Sequence, residues 1–166
     1  MNNRTETLNF FREALDLLTE MTADYVIEDL CQGSNLNFST YVLPNLHPGL
    51  QKQCETLDDL YELDLNPLFA VCRNVKGPSR DLNLIDDRSM FYGYISLVQQ
   101  IRNKISHMSS KENIGFIMQF NWATTLYLLI REYPKEARER TSYKELHLAL
   151  EDFINSISHS KKESTN

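Results

Sequence analysis

Residues 91–107 read FYGYISLVQQIRNKISH, and this stretch decides the fold. Tyr94, Leu97, Val98, Ile101, Ile105 and, just beyond it, Met108 recur at steps of three and four, the period of a helix with one buried stripe. At about 100° per residue the six span an arc of roughly 100° centred near Ile101. The remaining surface is polar: Arg102, Ser106, Gln99, Asn103 and His107 follow one another around it. Arg102 and His107 stand about 140° apart, at its two margins, with Asn103 between them. Such a face is either solvated or a site that something else must close.

The flanking sequence extends the helical pattern. A first helix is expected from about Thr5 to Cys31, with Leu8, Phe11, Leu15, Leu18, Thr22, Tyr25 and Leu30 on its period and Gly33 ending it. Asp16, Glu20, Asp24 and Glu28 line one side of it at four-residue steps, which reads as an acidic solvated face. From Asn35 to Leu50, Pro44, Pro48 and Gly49 interrupt the chain, so a long irregular connection is expected there, with His47 as a loop imidazole. A short helix from about Leu50 to Tyr61 follows. Asn66-Pro67 looks like a helix start, a capping side chain before a proline, and Gly77-Pro78 like its end. Ser79 to Asp87 reads as a polar loop, and Asp86, Asp87 or Ser89 as the cap of the 91–107 helix.

Beyond His107, Ser109-Ser110 with Glu112 predicts the cap and first turn of another helix. Its apolar residues Ile114, Ile117, Met118, Phe120, Trp122, Leu126, Leu129 and Ile130 leave little polar face, as in a helix that is deeply buried or forms an interface. A last helix carries Tyr143, Leu146, Leu148, Leu150, Phe153, Ile154 and Ile157. No alternating strand pattern, internal repeat, glycine-rich phosphate loop, GxSxG or HExxH motif occurs. The expected fold is therefore all-α, a four- to five-helix bundle, with a single domain over residues 1–158 and a frayed polar tail over 159–166.

Composition sets limits. A chain of 166 residues, 42% hydrophobic, suits one domain with a real core. No apolar run reaches the roughly 18 residues that span a bilayer, so no membrane partner is expected. The N-terminal MNNRTETLNFF lacks the features of a signal peptide. Cys31, Cys54 and Cys72, odd in number and without a CxxC pair, fit free thiols in a reducing compartment, cytoplasmic or, in a eukaryote, nuclear. Net charge is −6, yet its distribution is uneven. Residues 1–72 hold 3 Lys/Arg against 12 Asp/Glu, whereas residues 73–111 hold 7 against 3. The one basic stretch contains Arg102 and the preceding loop with Arg80 and Arg88, which suits phosphate attraction.

Arg102-Asn103-x-x-x-His107 at the end of a helix resembles the motif of the HEPN superfamily, in which Arg, a polar residue and a His four to six positions on form the active site of RNA-cutting members. The upstream Leu63-Asp64-Leu65-Asn66-Pro67-Leu68-Phe69-Ala70-Val71, followed by a loop and then the Arg-Asn helix, is similar to the branch also found as the C-terminal domain of a yeast nuclear PIN-domain endonuclease. The resemblance covers about Leu57 to Ile130. It implies a HEPN-like bundle and a homodimer whose two motifs face a shared cleft.

Chemistry gives the motif roles. RNA carries its own nucleophile, the 2′-hydroxyl, so cleavage needs a proton-transfer group and a cation for the charged phosphorane. Free histidine, with a pKa of about 6.5, suits the first need. The fixed donor fork of arginine suits the second. His107 is thus the expected proton-transfer residue, Arg102 the phosphate holder and Asn103 the group that orients imidazole or ribose. Arg80, Arg88, Ser106 and Gln99 are candidate RNA-phosphate contacts. Neither a metal nor a dinucleotide or other cofactor is expected.

The expected activity is a metal-independent endoribonuclease in defence, growth arrest or RNA processing, with RNA, a second copy and an antitoxin or partner enzyme as partners. Ser109 stands where HEPN toxins silenced by a nucleotidyltransferase carry their acceptor tyrosine, which argues against that toxin–antitoxin system. An alternative keeps the fold but makes it a non-catalytic dimerisation or RNA-binding module. A plainer account leaves Arg102 and His107 solvated, or paired with acids of another helix.

Overall fold

The computed structural model describes residues 4–55, 60–74, 90–109 and 112–165. These residues form an all-α bundle without strands. The long elements are α1 (Arg4–Asp24), α4 (Leu65–Asn74), α5 (Phe91–Ser106), α6 (Phe116–Arg131) and α8 (Thr141–Thr165). Shorter pieces are α2 (Asn35–Asn37), α3 (Pro48–Glu55) and α7 (Lys135–Arg138). Helix α1 packs along α8, α8 along α6 and α6 along α5, while α4 lies against both α1 and α5. No helix among the described residues is long and apolar enough to cross a membrane.

One core joins the helices. Phe11 of α1 meets Trp122 of α6 edge-on at 5.3 Å, and Phe10 stacks on Phe153 of α8 at 4.1 Å. Such aromatic pairs add about 0.5–1.5 kcal/mol beyond the area they bury. Phe91, at the start of α5, meets Tyr133 edge-on at 5.5 Å. Tyr133 is hydrogen-bonded at 2.6 Å to Thr22, whose hydroxyl also donates to the Leu18 carbonyl. Because a hydroxyl has one proton, Tyr133 is the donor in the Tyr–Thr pair.

Helix α1 ends as the glycine signal predicts, with an added feature. Its last turn widens into a π-helix, Tyr25–Leu30, before the chain reverses at Gln32 (φ 54°) and Gly33 (φ 70°). The Gly33 amide returns to the Ile27 carbonyl at 2.8 Å, satisfying an otherwise open helix end. Asp29 is buried in the widened turn and accepts both terminal amines of Arg140, one at 2.7 Å. Those hydrogen bonds to Asp29 are the main cause of the raised pKa of Arg140. The pair ties the start of α8 to the end of α1.

The segment after Gly33 differs from the expected irregular loop. Ser34 caps α2 by accepting from the Asn37 amide at 3.1 Å, a π-turn follows over Phe38–Val42 and a 3₁₀ turn over Leu43–Asn45. Phe38, Val42, Leu46, Leu50 and Cys54 are all buried. Anchors every four residues hold the segment helical in short pieces despite Pro44 and Pro48. His47 is exposed and caps α3, its Nδ1 accepting from the Leu50 amide at 3.2 Å.

Three other boundaries shift. Helix α4 begins at Leu65, two residues earlier than expected: Asp64, not Asn66, caps it, with its Oδ1 taking the Leu65 amide at 2.8 Å. Pro67 still lies in the first turn, where no intrahelical acceptor awaits its missing N–H. Ser109 and Glu112 are hydrogen-bonded to one another, but α6 starts only at Phe116. Helix α8 continues to Thr165, so the backbone over 159–165 is helical rather than a frayed tail. Gly77-Pro78, the loop from Ser79 to Asp87 and the cap residues Asp86, Asp87 and Ser89 lie outside the described residues.

Candidate functional site

Helix α5 presents the expected polar residues but turns its buried stripe. Phe91, Ile95, Val98, Ile101, Ile105 and Met108 are buried, Tyr94 is half-buried and Leu97 is 47% exposed. The centre of this arc lies roughly 50° from Ile101, toward Arg102. The reason is that α5 has neighbours on two sides. Helix α6 covers one margin and α4 with α1 the other, so Ile95 is enclosed and Leu97 is left outside.

That rotation separates the two margins. Arg102 falls on the side of α4, where its Nη2 pairs with Asp64 Oδ2. The neighbouring Asn103 accepts at 3.3 Å from the amide of Asn66. The first turn of α4 therefore contacts both residues of the Arg-Asn dipeptide. The buried amide oxygen of Asn66 has no hydrogen-bond partner among the described residues.

Arg102 and Ser106 also line a cleft of about 270 Å³ with Arg12, Asp16 and Thr19 of α1, Asp64 and Leu65 of α4, and Ile105. Arg12 reaches across it to the Met108 carbonyl at 3.4 Å, which ties α1 to the end of α5. Two guanidinium groups face two carboxylates here. The opening suits a phosphate only where one carboxylate yields or is bypassed.

His107 is elsewhere. It is the C-cap of α5, exposed and not among the residues lining the cleft, with its backbone amide bonded to the Lys104 carbonyl at 3.2 Å. Asn103 is exposed beside it, and Gln99 is half-buried. Arg80 and Arg88, the other candidate phosphate contacts, lie outside the described residues. One chain thus brings Arg102 and Asn103 against the start of α4 and Arg102 and Ser106 into the cleft, and leaves His107 outside that cleft, one turn beyond Asn103 at the helix end.

Sequence reading missed three members of this neighbourhood. Asp64 and Asn66 belong to the stretch singled out upstream, Asn66 as a helix start and Asp64 with no role of its own. Arg12 gave no signal, since it lies in the most acidic third of the chain. Among the described residues no group of three or more His, Cys, Asp or Glu side chains is placed to hold a metal ion.

The far margin of α5 meets α6 differently. Leu97, Gln100, Ile101 and Lys104 border a groove with Asn121, Trp122 and Thr125. Beyond it, Ile117 is 71% and Phe120 38% exposed, although α6 carries no charged residue before Arg131. Its inward side, Trp122, Ala123, Leu126, Leu129 and Ile130, is buried as expected.

No family model matches the chain, and neither does any curated protein or solved structure.

Proposed function

We propose that this chain is a metal-independent endoribonuclease of HEPN type, cutting RNA through its own 2′-hydroxyl in a site completed by a second copy. The observation that carries this reading is the division of α5. Arg102 and Asn103 are held against the first turn of α4, while His107 stands exposed at the helix end, outside the cleft that Arg102 lines. A cation and a proton-transfer group on one helix, each outside the core, are the two groups that the reaction needs. Their separation leaves a single copy incomplete.

In the reaction, the 2′-oxygen attacks the adjacent phosphorus and the bond to the 5′-oxygen breaks, leaving a 2′,3′-cyclic phosphate. His107 moves the proton, Arg102 stabilises the charge gathering on the phosphoryl oxygens, and Asn103 orients imidazole or ribose. Leu97 on the α6 margin of α5 and Ile117 and Phe120 on α6 are exposed apolar side chains, and they support association with another copy. The same exposed residues also support a second reading, a HEPN-like dimerisation or RNA-binding module serving a partner enzyme, in which the Arg102–Asp64 pair is structural. A role in defence, growth arrest or RNA processing fits either.

The test is cleavage of a defined RNA in the presence of EDTA, with light scattering on the same sample. A dimer that releases 2′,3′-cyclic phosphate ends, and spares a substrate with deoxyribose at the cut, supports the nuclease. A monomer at micromolar concentration removes the composite site. RNA bound but left intact favours the binding module.

A further inference from the structure

We infer that the first turn of α4 is the positioning element of this site, with Asp64 aligning Arg102 and Asn66 aligning Asn103. The inference rests on the nuclease reading, and adds residues to it that lie 37 and 38 positions upstream of their partners. Asp64 uses its two oxygens for two tasks. Oδ1 takes the Leu65 amide and so fixes the carboxylate to the helix start, while Oδ2 takes Nη2 of Arg102. A carboxylate anchored in this way can set the plane of the guanidinium, which a freely rotating acid would not.

Stability alone gives little reason for the pair. Asp64 is 55% and Arg102 29% exposed at the side chain, and ion pairs this open to water contribute little to stability. Orientation is the larger effect. The guanidinium has five N–H donors, so one bond to Asp64 leaves enough for a phosphate to be gripped through two parallel bonds. Asn66 does the same for its neighbour: its amide donates to Asn103 Oδ1, which leaves the Asn103 NH₂ free of that bond and available to a substrate. Adjacent side chains of α5 are thus held by side chains two positions apart at the start of α4.

This arrangement predicts a particular kinetic signature. The negative charge of Asp64 opposes phosphate binding in the ground state, while the alignment helps in the transition state. Asp64→Asn keeps an oxygen for the Leu65 amide and removes the charge. RNA binding should be equal or tighter, and kcat should fall by about tenfold to a hundredfold, the scale of a misplaced catalytic group. A role in folding alone would not separate kcat from binding in this way.

The experiment pairs that kinetic comparison with side-chain nitrogen relaxation in the free protein, which needs no turnover. Arg102 Nε–H should be ordered in the wild type relative to exposed Arg138, and should become mobile in Asp64→Asn. Asn66→Ala should loosen the Asn103 amide in the same manner. An Arg102 side chain as mobile as Arg138 in the wild type overturns the inference, as does an Asp64→Asn protein that cuts RNA at or above the wild-type kcat. If the wild type cuts no RNA, the nuclease reading fails by itself, and the relaxation comparison still decides whether α4 holds Arg102.

Discussion

Asp64 caps α4 and, through its second oxygen, pairs with Arg102 on the last full turn of α5. Arg102 is thereby committed to the cleft between α1, α4 and α5, and the exposed His107 is left on the other margin of the same helix. Arg102 lines that cleft and His107 does not; under the proposed nuclease reading, one copy therefore brings the phosphate holder and the proton-transfer group to different places.

Mixing two inactive variants tests this division. Where Arg102 of one copy works with His107 of its partner, Arg102→Ala and His107→Ala are each inactive alone. Co-expressed, they form mixed dimers with one intact pair, and cleavage returns in part. Absence of any recovery in verified mixed dimers would place both groups of each site on a single chain.

Buried and exposed positions on α5 should respond in opposite ways. Ile101 is 5% exposed, so Ile101→Ala empties a core site and should cost about 2–5 kcal/mol of folding stability. Leu97→Ala should change the unfolding free energy of the monomer by no more than about 0.5 kcal/mol, while weakening self-association. Chemical denaturation beside light scattering separates the two effects. Equal destabilisation by both variants would show that Leu97 is enclosed.

The Thr22–Tyr133 pair makes an asymmetric prediction. Tyr133 donates and Thr22 accepts, while Thr22 keeps its own bond to Leu18. Thr22→Val leaves a buried phenol donor unpaired and should cost about 1–3 kcal/mol, whereas Tyr133→Phe removes the donor and should cost about 0.5–1.5 kcal/mol. Thermal melting of the two variants gives the order, and a larger loss for Tyr133→Phe would contradict the assignment of donor and acceptor.

The thiols predict an alkaline limit to stability. Burial pushes Cys31 up to about 11 and Cys72 up to about 12 from an ordinary value of 9.0. Between those values and 9.0 an unfolded thiol has lost its proton while the folded one retains it. The folded state binds more protons, so stability must fall as pH rises across that window. At neutral pH the thiols should react slowly with an alkylating reagent until the protein is denatured. Melting temperatures that stay level from pH 8 to 11 would contradict this.

The helices were legible wherever an apolar period ran unbroken, as in α1, α5, α6 and α8. Phe38, Val42, Leu46 and Leu50 keep a four-residue spacing that Pro44, Pro48 and Gly49 disguise, because proline reads as a break unless it falls in a first turn. The tilt of the α5 stripe was not legible, since Ile95 and Leu97 are equally apolar and only the placement of α4 and α6 decides between them. Within the site, the spacing of Arg102, Asn103 and His107 could be read directly. Asn66 could be read only as a helix start and Asp64 only as a member of the upstream stretch, because their contacts with α5 cross a long stretch of chain. Arg12 reaches the end of α5 through tertiary packing alone, and nothing in its own neighbours announces it.

The most direct test of the nuclease account is the rate at which folded His107→Ala protein cuts RNA that the wild type cuts. His107 is exposed at the end of α5, so the variant should melt with the wild type and keep its oligomeric state. Its cleavage rate should fall by about 10²–10⁴-fold, the usual loss of an acid–base group. A His107→Ala protein that is folded and cuts at the wild-type rate would contradict the account.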